Sequence, residues 1–180
     1  YMGTNIDEAK ATFNYNTYGV LYNWPAAMNE ATSSNTNPSG VQGVCPDGWH
    51  LPSNAEWQEL LNYLLDNNYS WHKVAPYIAK SMAKESGWES SIREGAPGNA
   101  GYPEYRNKSG FSALPGGFFH VALGSEEVFF SIGQLAFWWS STESTSLHAL
   151  PVYIGYDSYS VGSGNGYLKD YNFSVRCVKD

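Results

Sequence analysis

The strongest periodic signal in the chain is helical. Trp57, Leu60, Leu61, Leu64 and Leu65 recur at the three- and four-residue spacing that gathers side chains on one helix face. Ser53-Asn54-Ala55-Glu56 stands directly before them and reads as a capping box, the Ser hydroxyl taking one unpaired N–H and the Glu carboxylate reaching back to another. Asn67-Asn68 is the predicted end. Trp24 to Asn29 reads as a brief Ala-rich helix, with Pro25 tolerable at its start. A weaker helix is predicted over Val74 to Lys84, interrupted by Pro76.

Before residue 18 the chain is polar with little pattern, and 1–17 is set apart as an N-terminal extension. Tyr18 to Tyr22 reads as a short strand, and residues 30–43 and 86–109 as loops, the second a long surface excursion. From Gly110 the pattern changes to short apolar runs. Phe111 to Phe118 reads as strand, turn, strand. Phe129–Ile132, Phe137–Ser141, Val152–Tyr156 and Ser174–Val178 are further strand candidates. Early helices and late strands predict an α+β domain over residues 18–180.

Composition narrows the function. A chain of 180 residues is one ordinary domain, and 42% apolar with only 15% charged residues argues against extensive disorder. Ten Lys and Arg against 17 Asp and Glu give a net charge of −7, so nucleic acid and anionic membrane surfaces are poor partners. No apolar run is long enough to span a bilayer. Tyr1-Met2-Gly3 does not open a signal peptide, so the chain is expected to begin after a processed leader or inside a longer protein.

Recognisable catalytic patterns are missing. His50, His72, His120 and His148 form no HExxH pattern and no pair at metal-ligand spacing, and each reads as structural or exposed. There is no GxSxG elbow. Gly162-Ser163-Gly164-Asn165-Gly166 lacks a phosphate-loop Lys and reads as a loop. Glu56 is used by capping beside Glu59, and the adjacent Glu126 and Glu127 would face opposite ways in a strand, so no glycosidase pair emerges. Asn68, Asn107 and Asn172 begin short N-x-S/T patterns of the kind that arise by chance. Cys45 and Cys177 are either two reduced core residues or one disulfide; the second needs an oxidising compartment.

Three blocks carry a family resemblance: Tyr18-Gly19-Val20-Leu21-Tyr22-Asn23-Trp24; Val44-Cys45-Pro46-Asp47-Gly48-Trp49-His50-Leu51-Pro52-Ser53-Asn54-Ala55-Glu56-Trp57; and a late set. The late set is Gly110 to Gly117, Trp138-Trp139-Ser140-Ser141-Thr142-Glu143 and Phe173-Ser174-Val175-Arg176-Cys177-Val178-Lys179-Asp180. Together they resemble the Fibrobacter succinogenes major paralogous domain, found in secreted and surface proteins of bacteria. The resemblance implies a C-type-lectin-like fold, a helix pair on a twisted, mainly antiparallel sheet with long loops. It also implies a disulfide between Cys45 and Cys177, at the helix-to-last-strand position of such domains. The segment Gly48 to Trp57 is similar to formylglycine-generating enzymes, yet their pair of copper-holding cysteines has no counterpart here. The calcium-holding triplets of sugar-binding C-type lectins are also absent, so no cofactor is expected.

The stretch Tyr153 to Asn172 is the candidate site. Sixteen of its 20 residues are Tyr, Gly, Ser, Asn or Asp, a vocabulary of rigid amphipathic anchors and adaptable polar groups that suits a binding surface. The plain alternative is a β-hairpin with Tyr as strand filler. Alternation puts Tyr153, Gly155, Asp157 and Tyr159 on one face and Ile154, Tyr156, Ser158 and Ser160 on the other. One of Trp138 and Trp139 is expected in the core and the other nearer the surface. The variable proteins of diversity-generating retroelements, similar in fold, favour these residue types on this surface. The predicted ligand-binding set is Trp139, His148, Tyr153, Tyr156, Ser158, Tyr159, Asn165, Tyr167, Asp170, Tyr171 and Asn172. The expectation is a non-enzymatic secreted or cell-surface domain that binds a protein or glycan through residues 144–172. The rivals are a structural module of a larger assembly and an enzyme whose pocket pairs His50, His120 or His148 with a carboxylate.

Overall fold

In a computed structural model, residues 5–72, 76–121 and 128–180 are described; Val74, Ala75, Glu126 and Glu127 fall outside them. The central strand, β5 (Leu135–Glu143), is buried from Ala136 through Thr142 on both of its faces. Such a strand needs cover on two sides. One side is supplied by α4 (Asn54–Asp66) and α5 (Ala79–Met82): Trp57, Leu61 and Leu64 of α4, Met82 of α5 and Ile78 just before it surround Ala136, Trp138, Val152 and Ile154. The other is supplied by α3 (Trp24–Met28) and the loop before α4, where Trp24, Met28, Val41 and Leu51 meet Phe137, Trp139, Ala149 and Phe173. The fold is therefore α+β, with antiparallel sheets and two cores separated by β5 and its partner β6 (His148–Gly155).

The other strands are short. β6 pairs with β7 (Val161–Gly162) and with β8 (Tyr167–Leu168) at different points along its length. A second sheet runs in the order β1 (Tyr22–Asn23), β9 (Asn172–Phe173), β3 (Phe118–His120), β4 (Val128–Phe130). Single bridges from Ala136 to Gly117 and from Trp138 to Ser174 stitch β5 to it. β2 (Trp49–His50) pairs with β10 (Val178–Lys179), and the Cys45–Cys177 disulfide closes the same junction. It spans a sequence separation of 132, a loop whose closure is worth ~5 kcal/mol in the chain-entropy picture.

The capping box forms as the sequence predicts. Ser53 Oγ accepts the Glu56 N–H at 3.1 Å and Glu56 Oε2 accepts the Ser53 N–H at 2.9 Å. Pro25 lies in the first turn of α3, as expected. The helix predicted over 74–84 is only the four residues of α5, within the described part. Residues 5–17, read as patternless, contain α1 (Ile6–Lys10) and enter α2 (Phe13–Tyr18), capped by Asn5 and Thr12. Gly19, at φ 78°, ends α2 and delays the expected strand to Tyr22. No strand forms over 111–116. There Asn107 Oδ1 accepts the Ser112 N–H at 2.8 Å and Ser112 adopts φ 58°, a local side-chain bond that displaces ladder pairing.

Candidate recognition surface

The predicted site residues do not form one patch. Trp139 is a correction: it is fully buried, and its indole N–H donates to the Tyr22 carbonyl at 2.9 Å. Its neighbour Trp138 is buried too, because the sheet is covered on both faces. Tyr153, Tyr167 and Tyr171 are half-buried and turn inward on Phe137 and Phe173, with centroids 5.1 Å (Tyr153–Phe137), 5.5 Å (Tyr167–Phe137) and 5.8 Å (Tyr171–Phe173) apart. Burial raises the Tyr167 phenol pKa. These tyrosines are largely strand filler. Tyr171 also stacks on His120 at 4.0 Å, and Asp170 lies 3.7 Å from that imidazole. Asn172 sits in β9 and donates to the Phe119 carbonyl. His148 meets the Thr145 hydroxyl at 3.0 Å, and Asn165 is exposed in the turn before β8.

Tyr156, Ser158 and Tyr159 lie apart from these, in the turn between β6 and β7. Alternation stops there: the chain leaves β6 at Gly155, and Ser158 Oγ bonds the Ser160 carbonyl instead. Two loops remote in sequence meet this turn. Tyr159 lies 4.0 Å from Tyr77, which stacks on Trp71 at 5.8 Å, and Trp71 lies 4.7 Å from Tyr102. The exposed Arg93 guanidinium sits 5.6 Å from the Tyr159 ring, and its Nε is 3.6 Å from Asp157. Desolvation and then a hydrogen bond to Tyr159 raise the Tyr77 phenol pKa. The result is a band of aromatic faces with one charged pair at its edge.

Backbone bonds fix the three segments to each other. The Gly98 N–H donates to the Tyr156 carbonyl at 2.8 Å, and the Ala79 N–H to the Tyr159 carbonyl at 3.2 Å. Gly98 must be glycine, since a Cβ there would stand 2.1 Å from the Glu89 carbonyl oxygen. Two cations hold the excursion from beneath. Lys80, fully buried, donates to the carbonyls of Asn99 and Gly101, and Arg106 donates to those of Pro97 and Asn99. Burial lowers the Lys80 pKa to about 8. Trp71, Tyr77, Arg93 and Tyr102 were not among the predicted site residues. Trp71, Tyr77 and Tyr102 stand in the sequence as large aromatics outside any periodic pattern, and Arg93 carries no sequence signal.

A cleft of about 890 Å³ lies elsewhere, between residues 37–42, the outer side of α4 and the last strand. His50 borders it, with Nε2 2.7 Å from Glu56 and Nδ1 2.7 Å from Asp180. Burial would lower this imidazole's pKa; the hydrogen bonds and charges of the two carboxylates overcome it and hold it above the ordinary histidine value. The carboxylates approach opposite ring nitrogens, so they diverge and cannot share one metal ion. Glu59 bonds Asn37 across the cleft mouth. Among the described residues no three His, Cys, Asp or Glu side chains gather as metal ligands, and no helix is long and apolar enough to cross a membrane.

The family model of the Fibrobacter succinogenes major domain matches residues 2–179, nearly the whole chain. The chain belongs to that family. Comparison with curated proteins and with solved structures finds no match.

In this Fibrobacter succinogenes major domain, the blocks that carry the resemblance build the frame. Val44 to Trp57 supplies one half of the disulfide, β2 and the capped start of α4. Trp138 to Glu143 lies within β5, where Thr142 Oγ1 accepts the Asn54 N–H at 2.9 Å and donates to the Ser34 carbonyl at 2.7 Å. Phe173 to Asp180 supplies Cys177, β10 and the Asp180 partner of His50. Tyr77, Arg93, Tyr102 and Tyr159 all fall outside these blocks.

Proposed function

We propose that this domain is a non-enzymatic recognition module of the secreted or cell-surface space, with a C-type-lectin-like fold. It binds a protein or glycan through the turn at 156–160 and the loops that meet it. The observation that carries the reading is the aromatic band of Tyr159, Tyr77, Trp71 and Tyr102 edged by Arg93 and Asp157. Aromatic rings give large contact area at small entropic cost, and an adjacent guanidinium adds orientation. The Cys45–Cys177 disulfide favours an oxidising compartment. Both ring nitrogens of His50 are engaged by carboxylates, which favours a structural role for this imidazole.

The test is a binding screen of the purified domain against glycans and surface proteins, with and without EDTA. A saturable, EDTA-insensitive ligand should be lost on Tyr159→Ala combined with Arg93→Ala, with the melting temperature retained. Unchanged affinity would remove the site from this surface. The inward packing of Tyr153, Tyr167 and Tyr171 favours a second reading, a structural module without its own ligand. A clean negative against both panels would select it.

A further inference from the structure

The cleft beside α4 holds an arginine that the fold does not use as an ion-pair partner. Arg176 lies over the Phe111 ring, its guanidinium carbon 4.5 Å from the centroid. Among the described residues it makes no hydrogen bond and no ion pair. Burial lowers its pKa from the ordinary arginine value and no carboxylate offsets that, yet a guanidinium remains charged. Arg176 is exposed at the cleft, so its five guanidinium donors are met by solvent alone and are free to take a ligand's acceptors.

The other walls are aromatic. Trp49 and Tyr63, on β2 and α4, are 40% and 56% exposed and line the same cleft. Large rings left open in a cavity of this volume suit a small ligand that presents a flat apolar face. Glu59 bonds Asn37 through one carboxylate oxygen and keeps the other for a hydroxyl donor. The three acids of the cleft do not oppose an anion as their number suggests. Glu56 and Asp180 are both hydrogen-bonded to His50, and Lys179 lines the same cleft. Arg176 and Lys179 set two cations against these three acids, a more even ratio than in the chain as a whole, whose net charge is −7.

We infer that the cleft binds a carboxylate-bearing sugar, a hexuronate unit of an acidic glycan, through Arg176. The guanidinium takes the carboxylate in a two-pronged hydrogen bond, Trp49 or Tyr63 stacks on the sugar ring, and Glu59 receives a ring hydroxyl. A peptide C-terminus has the same charge, but its usual capture is by backbone N–H groups, and the open ring faces would go unused.

The experiment titrates ¹⁵N-labelled domain with trigalacturonate, its fully methyl-esterified form, maltotriose and an N-acetylated tripeptide with a free C-terminus. Trigalacturonate should give saturable shifts of the Arg176 Nε–H and Trp49 Nε1–H signals. The ester and maltotriose should bind about tenfold more weakly or worse, as expected for loss of a charge-assisted hydrogen bond. Arg176→Lys, which keeps the charge but not the fork, should lose about as much. Because the ester is tested on unaltered protein, the comparison does not depend on how the variant folds. Tyr159→Ala should leave trigalacturonate affinity unchanged, which separates this site from the aromatic band. Equal binding of acid and ester, retained affinity in Arg176→Lys, loss of affinity in Tyr159→Ala, preference for the tripeptide, or no saturable shift with trigalacturonate would each overturn the inference.

Discussion

Trp138 and Trp139 are consecutive residues whose indoles lie in different cores. Trp138 sits 6.1 Å from Trp57 of α4, and Trp139 sits 4.4 Å from Phe173 on the opposite side of the sheet. Each substitution by Ala should destabilise the domain by about 3–5 kcal/mol, the usual cost of emptying a buried aromatic site. The two cores should also be separable. Trp138→Ala combined with Leu64→Ala, both lining the α4 core, should depart from additivity, whereas Trp139→Ala with Leu64→Ala should add. Urea unfolding of the single and double variants checks both statements.

The disulfide ties the loop before α4 to the residue preceding the last strand, a junction also held by the two-residue pairing of β2 and β10 and by the His50–Asp180 hydrogen bond. Replacing Cys45 and Cys177 together with Ala should cost about 2–5 kcal/mol. Thermal melts of the variant, and of the native domain with and without reductant, should shift down together. A melt insensitive to both would mean that the junction holds without the disulfide.

His50 makes stability depend on pH at the same junction. Its folded-state pKa is raised, so the protonated form is favoured by folding. The stabilisation is therefore complete below the unfolded value of about 6.5 and is lost as pH rises through the higher folded value. The stability difference between the native domain and His50→Gln should shrink with rising pH above about 6.5. Imidazole titration by NMR gives the folded pKa directly; a value at or below 6.5 would contradict the arrangement.

Lys80 supports the excursion that carries Tyr102. Lys80→Met keeps most of the volume and removes the donors to the Asn99 and Gly101 carbonyls. The expected cost is about 1–3 kcal/mol for buried acceptors left unpaired. Hydrogen exchange should rise over residues 97–102 before it rises in α4. An unchanged exchange pattern would show that Arg106 alone fixes the loop.

What the sequence determined by itself was local. Ser53 and Glu56 are three residues apart, so the capping box is written in adjacent positions, and the spacing of Trp57, Leu61 and Leu64 names the buried face of α4. The strand at 137–141 and the family followed from runs of neighbouring residues, and the disulfide from that resemblance. Tertiary structure decided what needs two remote segments at once. Alternation puts Trp138 and Trp139 on opposite faces, but only the presence of α3 and α4 on either side makes both faces interior. Tyr159 reads like Tyr167 in composition. One meets Tyr77 and Arg93 at the edge of the domain and the other fills the space around Phe137, because contacts across the fold, unlike caps and periodicities, leave no mark on neighbouring residues.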